Sequence, residues 1–273
     1  MRSTTLAVNC VMGLSEIHPT AIISPDAQLG NNVSVGPYAV IEDQVTIGDG
    51  CVIEAHVVIR SFVRMGVNNH IHPQAIIGGA PQDLKFNLQT HSFIEIGNHN
   101  VFREGVTVHR SASQDGVTLI GSNNYLMNNS HIAHDCQVEN DCIFAAGATL
   151  GGFVAVGEGA FLGGGVMVHQ FCRLGRMTMI RGLTGVSKDV IPYTMLAGLP
   201  VRHYRLNLIG LRRAGVIGER LRNLSKAFRN IRQKGEIGLC EATPEISHLQ
   251  EWMRQSSKRG LHGFVQPDNN KNS

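Results

Sequence analysis

Aromatic residues make up only 5% of this 273-residue chain and Trp occurs once, too few for a protein that stacks bases along single-stranded nucleic acid. Charged residues are also scarce at 16%, against roughly 25% in ordinary soluble domains. No uninterrupted apolar run reaches the length of about 18 residues that a bilayer-spanning helix needs, so no membrane span is expected. The six cysteines, Cys10, Cys51, Cys136, Cys142, Cys172 and Cys240, include no CxxC pair and form no dense framework. A disulfide scaffold is thereby excluded, and a reducing, cytoplasmic setting is expected. Residues 1–15 lack the long apolar core of a secretory signal. Their Arg, Ser and Thr content without an acid leaves one alternative, the remnant of a mitochondrial or other organellar transit peptide.

Glycine is abundant, with 31 residues, and it follows a period. Every sixth residue from Ile17 is apolar: Ile17, Ile23, Leu29, Val35, Ile41, Ile47, Ile53, Ile59, Met65, Ile71 and Ile77. A second register runs Ile96, Phe102, Val108, and a third runs from Ile120 through Ile132, Leu150 and Val168 to Val186. If about a third of residues are aliphatic or Phe, the first run alone has a chance probability on the order of one in a hundred thousand. A helix needs a period near 3.6 and a simple strand needs 2, so neither explains a strict six. A short strand and a turn, repeated, does. Three such hexads close one triangular coil, and stacked coils bury the aliphatic column inside a parallel β-helix.

Two segments leave the pattern, Gly79 to Phe93 and His109 to Leu119. In a solenoid such insertions become external loops, where binding groups sit on a rigid scaffold. After Val186 the hexads stop, and Val190 to Pro200 reads as a linker. Helical periodicity then takes over, with Leu221, Leu224, Phe228 and Ile231 on one face and a helix start at Thr243-Pro244-Glu245. Residues 202–260 hold 13 Lys and Arg against 5 Asp and Glu, a local charge of +8 in a chain of +3. The expected organisation is an irregular segment at 1–16, a mainly β solenoid at 17–191, a small basic α-helical domain at 192–265 and a disordered tail at 266–273.

The polar cluster with chemical potential is His131-Ile132-Ala133-His134-Asp135-Cys136, in which Ile132 fills the buried slot and both histidines lie off it. A neutral imidazole can take a proton from a hydroxyl, and a neighbouring carboxylate can fix its tautomer, so His134 with Asp135 is a candidate dyad. His131, His134, Asp135 and Cys136 are also metal-ligand types, although they match no standard closed zinc spacing. His169 and Gln170 lie further along the same block. Gly151-Gly152 offers unobstructed backbone N–H groups, suited to an oxyanion. Cys136 and Cys142 read as small packing residues.

The hexads, Gln82-Asp83-Leu84-Lys85, HIAHDC at 131–136, VHQF at 168–171 and the basic helical tail together resemble the UDP-N-acetylglucosamine acyltransferases that begin lipid A biosynthesis. The resemblance runs from about Ile17 into the helical tail. It implies a left-handed parallel β-helix assembled as a homotrimer with sites between subunits. It also implies transfer of an R-3-hydroxyacyl group from acyl carrier protein to the 3-hydroxyl of UDP-N-acetylglucosamine, with no cofactor or metal. Carried onto this chain, His134 is similar to the general base, Asp135 to its orienting carboxylate and Gly152 to the oxyanion donor. Asp83 would hold the sugar. Gln82, Lys85, Gln170, Asn207 and Arg213 would help bind the nucleotide sugar, while His131 and His169 would position substrates in the groove. Gly182 stands where members set acyl length, with Arg181 beside it.

The chain departs from the family at three places. Phe153 stands where many members have His, Ile209 where Glu is frequent, and Ala214 shortens a basic pair to Arg213 with Arg212 before it. An aromatic cannot replace the hydrogen bonds of an imidazole, so a changed acceptor (a 3-amino sugar) or a non-catalytic binding protein is the alternative, and a zinc-dependent β-helix lyase a more distant one. Arg205, Arg212, Arg213 and Arg220 are the expected contacts for an acidic carrier protein.

Overall fold

The computed structural model describes residues 16–265. The expected tail at 266–273, and all but the last residue of the expected irregular start, lie outside them. Two-residue strands recur along the chain, from Ile22–Ile23 to Gly185–Val186. Each lies in parallel beside the strand one coil away, as in Val52↔His70 and Ile53↔Ile71. Three faces result, of nine, eight and ten strands, parallel throughout except for one antiparallel strand at the end of the third, and they form a left-handed parallel β-helix, against the usual right-handed preference of parallel crossovers. The six-residue column points inward: Ile41, Ile53, Ile71, Phe102, Ile132, Leu150 and Val186 are all buried. Three hexads make one regular coil, as between Val52 and His70, and the two insertions lengthen the coils that contain them. His70 therefore pairs onward with Val101 across the first insertion, and Val101 with Tyr125 across the second.

At one corner the core is polar. Asn100 Nδ2 donates to Asn69 Oδ1 at 3.0 Å and to the Gly121 carbonyl at 2.9 Å, and its own Oδ1 accepts from Asn124 N at 2.8 Å. Asn124 in turn accepts from Cys142 N at 2.8 Å. This ladder satisfies backbone groups that lie between the regular strand pairings. Burial pushes the Cys136 and Cys142 thiols up to about 12, so both are packing residues, as read from the sequence.

The end of the solenoid differs from the expected linker and helical start at 192. Thr194–Ala197 adds one more parallel strand beside Met179–Ile180, and Arg202–Leu206 pairs back antiparallel to it. The burial of Thr194, Leu196 and Ala197 suits a strand, and the prolines lie outside its hydrogen-bonded span. The helices then follow as α1 (Leu208–Arg213), α2 (Gly218–Lys234) and α3 (Pro244–Arg254). Thr243 caps α3 through its side chain, with Pro244 at the first turn. Leu224 and Ile231 of α2 pack with Ile246, Leu249 and Trp252 of α3. Arg220 forks onto the buried Glu245, an ion pair that ties α2 to α3. Among the described residues no helix is long and apolar enough to cross a membrane.

Two buried histidines fasten the C-terminal segment to the solenoid. His203 Nε2 accepts from Ile191 N at 3.0 Å while Nδ1–H donates to the His262 carbonyl at 3.0 Å. His262 Nε2 accepts from Lys188 N at 3.2 Å. Burial holds both imidazoles down, to about 4, whereas an unfolded histidine titrates near 6.5. Between those values the unfolded chain binds more protons, so the contribution of this pair to stability is complete above about pH 6.5 and is lost as pH falls toward 4. The urea midpoint is expected to be lower at pH 5 than at pH 7.5. A midpoint that does not fall would contradict this origin of acid sensitivity.

Candidate active site

His134 and Asp135 occupy the turn after the strand His131–Ile132. Asp135 takes the left-handed backbone conformation, φ 59°, which Asp tolerates better than most residues. His134 Nδ1 lies 2.7 Å from Asp135 Oδ2, and the two side chains are 16% and 10% exposed. The carboxylate has further donors: the Ser111 hydroxyl on Oδ1, and Ala112 N on Oδ2 at 3.0 Å. The backbone is fixed by Asp135 N donating to Thr118 Oγ1 at 2.8 Å. Asp135 Oδ2 accepts from His134 Nδ1–H, which leaves Nε2 as the basic nitrogen.

Nε2 lies over Gly152, one coil further on. A Cβ built on Gly152 would stand 2.7 Å from Nε2 and 2.6 Å from Cε1. The absence of a side chain there therefore makes room for the ring, a steric reason for this glycine in addition to its N–H. His131 Nδ1 is 2.7 Å from Thr107 Oγ1. Its ring meets His109 edge to face at 4.6 Å. Burial holds His131 below the usual histidine range and His109 lower still, at about 4, so near neutral pH both are uncharged. His169 and Gln170 are exposed in the turn of the next coil, reached through the pairing of Leu150 with Val168.

Phe153 takes the same turn position as Asp135, one coil on, and Phe171 takes it two coils on. The two phenyl rings stack at 4.9 Å, Phe153 meets His134 edge to face at 5.3 Å, and Lys258 Nζ lies 4.6 Å from the Phe171 centroid. The aromatic at 153 is thus one step of a stack beside the dyad.

Gln82, Asp83 and Lys85 are exposed on the first insertion. Asp83 Oδ1 accepts from Lys85 N at 2.9 Å. Among the described residues none of the three hydrogen-bonds to the dyad. Their loop is pinned from the second insertion by Arg110, which donates to the carbonyls of Thr90 at 2.5 Å and Leu88 at 3.1 Å and lies over the Phe86 ring. Asn207 caps α1, accepting from Gly210 N at 3.1 Å and donating to the Met177 carbonyl at 3.0 Å, so its amide is occupied within the protein. Arg213 is exposed in the last turn of α1. A Cβ on Gly182 would come 3.0 Å from the Gly164 carbonyl oxygen, which makes its position crowded toward the neighbouring coil. Cys136 Sγ points inward and donates to the Gly151 carbonyl at 3.2 Å, so the ligand types of HIAHDC do not face one point.

Sequence reading missed Ser111, Thr118, His109 and Arg110. The second insertion lengthens its coil so that Thr107 pairs with His131, and the same offset carries Ser111 onto Asp135. Knowing that offset would have paired them.

A family model for bacterial transferase hexapeptide (six repeats) matches residues 26–61 and 118–152, and one for UDP N-acetylglucosamine O-acyltransferase, domain 2, matches 189–262. The acyl-[acyl-carrier-protein]--UDP-N-acetylglucosamine O-acyltransferase of Synechocystis is 42% identical over 249 residues, 88% of this chain and 90% of that protein. The solved structure of LpxA from Acinetobacter baumannii has 38% identity and a TM-score of 0.86, covering 90% of this chain and 99% of that one. LpxA from Bacteroides fragilis, a UDP-N-acetylglucosamine acyltransferase, has 37% identity and a TM-score of 0.85, covering 91% and 99%. With hexad coils, the second-domain match and this identity over nearly its whole length, the chain belongs to the UDP-N-acetylglucosamine O-acyltransferase family.

Proposed function

We propose that the protein transfers an R-3-hydroxyacyl group from acyl carrier protein to the 3-hydroxyl of UDP-N-acetylglucosamine, the first step of lipid A biosynthesis. The observation that carries the mechanism is the His134 ring, held by Asp135 on Nδ1 and presenting Nε2 above the side-chain-free Gly152. Nε2 takes the proton of the sugar hydroxyl as its oxygen attacks the thioester carbonyl. Gly152 N–H donates to the oxyanion that forms. As the tetrahedral intermediate collapses, the carbon–sulfur bond breaks, and the leaving thiolate takes the proton back from His134.

Asp83 holds the sugar, and Gln82, Lys85, Gln170 and Arg213 bind the nucleotide sugar, for which cationic donors suit the pyrophosphate. His131 and His169 position substrates, and Asn207 acts by fixing the start of the helix that carries Arg213. Gly182 bounds the acyl channel. A homotrimer would bring the first insertion of one subunit toward the dyad of another, which fits the exposure of Gln82, Asp83 and Lys85 within one chain. The free, buried Cys51, Cys136, Cys142 and Cys172 suit a reducing cytoplasm. Exposed Arg205, Arg212 and Arg213 provide the basic surface for an acidic carrier.

Mass spectrometry of products from UDP-N-acetylglucosamine with a panel of 3-hydroxyacyl carrier proteins, run beside acyl-CoA donors and a 3-amino acceptor, tests this reading. The expected product is the O-acylated nucleotide sugar, formed from carrier-bound donors alone. Product only with the 3-amino acceptor would overturn the acceptor assignment, and no product with any pair would overturn the activity.

A further inference from the structure

We infer that Glu54, His70 and His72 form a binding site for one divalent transition-metal cation of the zinc class, at the ends of strands on a different solenoid face from the strand His131–Ile132 that leads into the dyad. His70 and His72 are two apart, so the pleat puts both imidazoles on the same side of the chain at the strand His70–Ile71. The pairing Ile53↔Ile71 brings Glu54 level with His72 from the preceding coil. The three donor atoms converge. His70 Nε2 lies 2.5 Å and His72 Nδ1 3.2 Å from the same Glu54 Oε1, and the rings stack at 4.1 Å with 19° between planes. In a tetrahedral zinc site with bonds of about 2.0–2.1 Å, neighbouring ligand atoms stand about 3.3 Å apart, so small side-chain movements fit a cation here.

A fourth ligand is at hand. Glu104 Oε1 is 3.6 Å from His72 Nδ1, and Arg103 grips the same carboxylate through Nη2 at 2.9 Å and Nε at 3.1 Å, the kind of outer partner that orients a ligating carboxylate. The donor set is two imidazoles and one or two carboxylates without thiolate, which suits Zn²⁺, Co²⁺ or Ni²⁺ and disfavours Ca²⁺ and Mg²⁺, whose sites are built from oxygen. Side-chain exposures of 33% for Glu54, 31% for His70 and 18% for His72 leave the cluster shielded on one side and open to entry on the other. The ligands come from three consecutive coils, and His72 lies shortly before the strand Ile76–Gly79 that leads into the first insertion. A cation here would tie those coils together at the foot of the loop that carries Gln82, Asp83 and Lys85.

The test is Co²⁺ titration of the chelator-treated full-length protein, read by visible absorption and by thermal unfolding. One equivalent per chain is expected, with a rise in Tm on loading. Glu54→Gln and His72→Ala are expected to lose more than about 100-fold in affinity, and Glu104→Gln about 10–100-fold. Glu54→Gln keeps size and hydrogen bonding, so its fold can be verified by circular dichroism even if His72→Ala unfolds. His134→Ala should bind Co²⁺ as the parent does. Substoichiometric uptake, uptake unchanged by Glu54→Gln, or uptake lost in His134→Ala would overturn the assignment and leave a hydrogen-bonded His–Glu–His cluster only.

Discussion

Replacing Gly152 by Ala is expected to lower kcat by about 100-fold or more, because a methyl group at that position would stand 2.7 Å from the basic nitrogen of His134. Contacts that short force the ring to move, and a displacement of about 1 Å at a reacting group costs on the order of 100-fold. The stability cost of such overpacking is about 1–3 kcal/mol, well short of unfolding a solenoid with a continuous aliphatic core. Steady-state kinetics of the purified variant, with circular dichroism as a check on the fold, measures both. Nearly unchanged turnover would mean that Nε2 does not work from the position it holds here.

The second large effect concerns the charge beside that ring. Asp135→Asn is expected to reduce kcat by about 10²–10⁴-fold while leaving the affinity for the nucleotide sugar within a few-fold of the parent. An amide can occupy the same space with its oxygen accepting from Ala112 N and His134 Nδ1–H and its NH₂ turned to the Ser111 hydroxyl, but it carries no negative charge. The imidazolium that forms as Nε2 takes the proton of the sugar hydroxyl then has no carboxylate beside it, and His134 is the weaker base. His134→Ala removes the base altogether and is expected to fall in the same range. A loss confined to KM in Asp135→Asn would assign the pair to binding.

The fold was legible in the sequence to an unusual degree because one physical constraint, an apolar column inside a narrow coil, repeats every six residues. Ile41, Ile53 and Ile132 fill it as expected. The solenoid end was not legible. Thr194–Ala197 departs from the hexad spacing yet continues a face, since tertiary pairing with Met179–Ile180 overrides a local pattern that reads as a linker. At the candidate site, adjacent residues were readable and distant ones were not. His134 and Asp135 are neighbours in sequence. Ser111, which shares the Asp135 carboxylate, comes from an insertion whose length sets the offset between coils. The basic charge of the tail singled out Arg220, but its pairing with Glu245, a buried acid on the next helix, is a contact that no local pattern reveals.

Phe153 gains a physical setting from the same coil arithmetic. Its position repeats at Phe171, so an aromatic there stacks on the next coil and presents an edge to His134. A phenyl ring offers no hydrogen bond, and the contact of His134 Nδ1 with Asp135 is made without it.

The most direct measurement is single-turnover product formation by His134→Ala, followed by mass spectrometry beside the nucleotide-sugar affinity of the same variant. Binding is expected to persist within a few-fold while product formation falls by about 10²–10⁴-fold. Product formed by the variant at the parent's rate would contradict this expectation, since the proton of the sugar hydroxyl would then have left by a route that does not pass through His134.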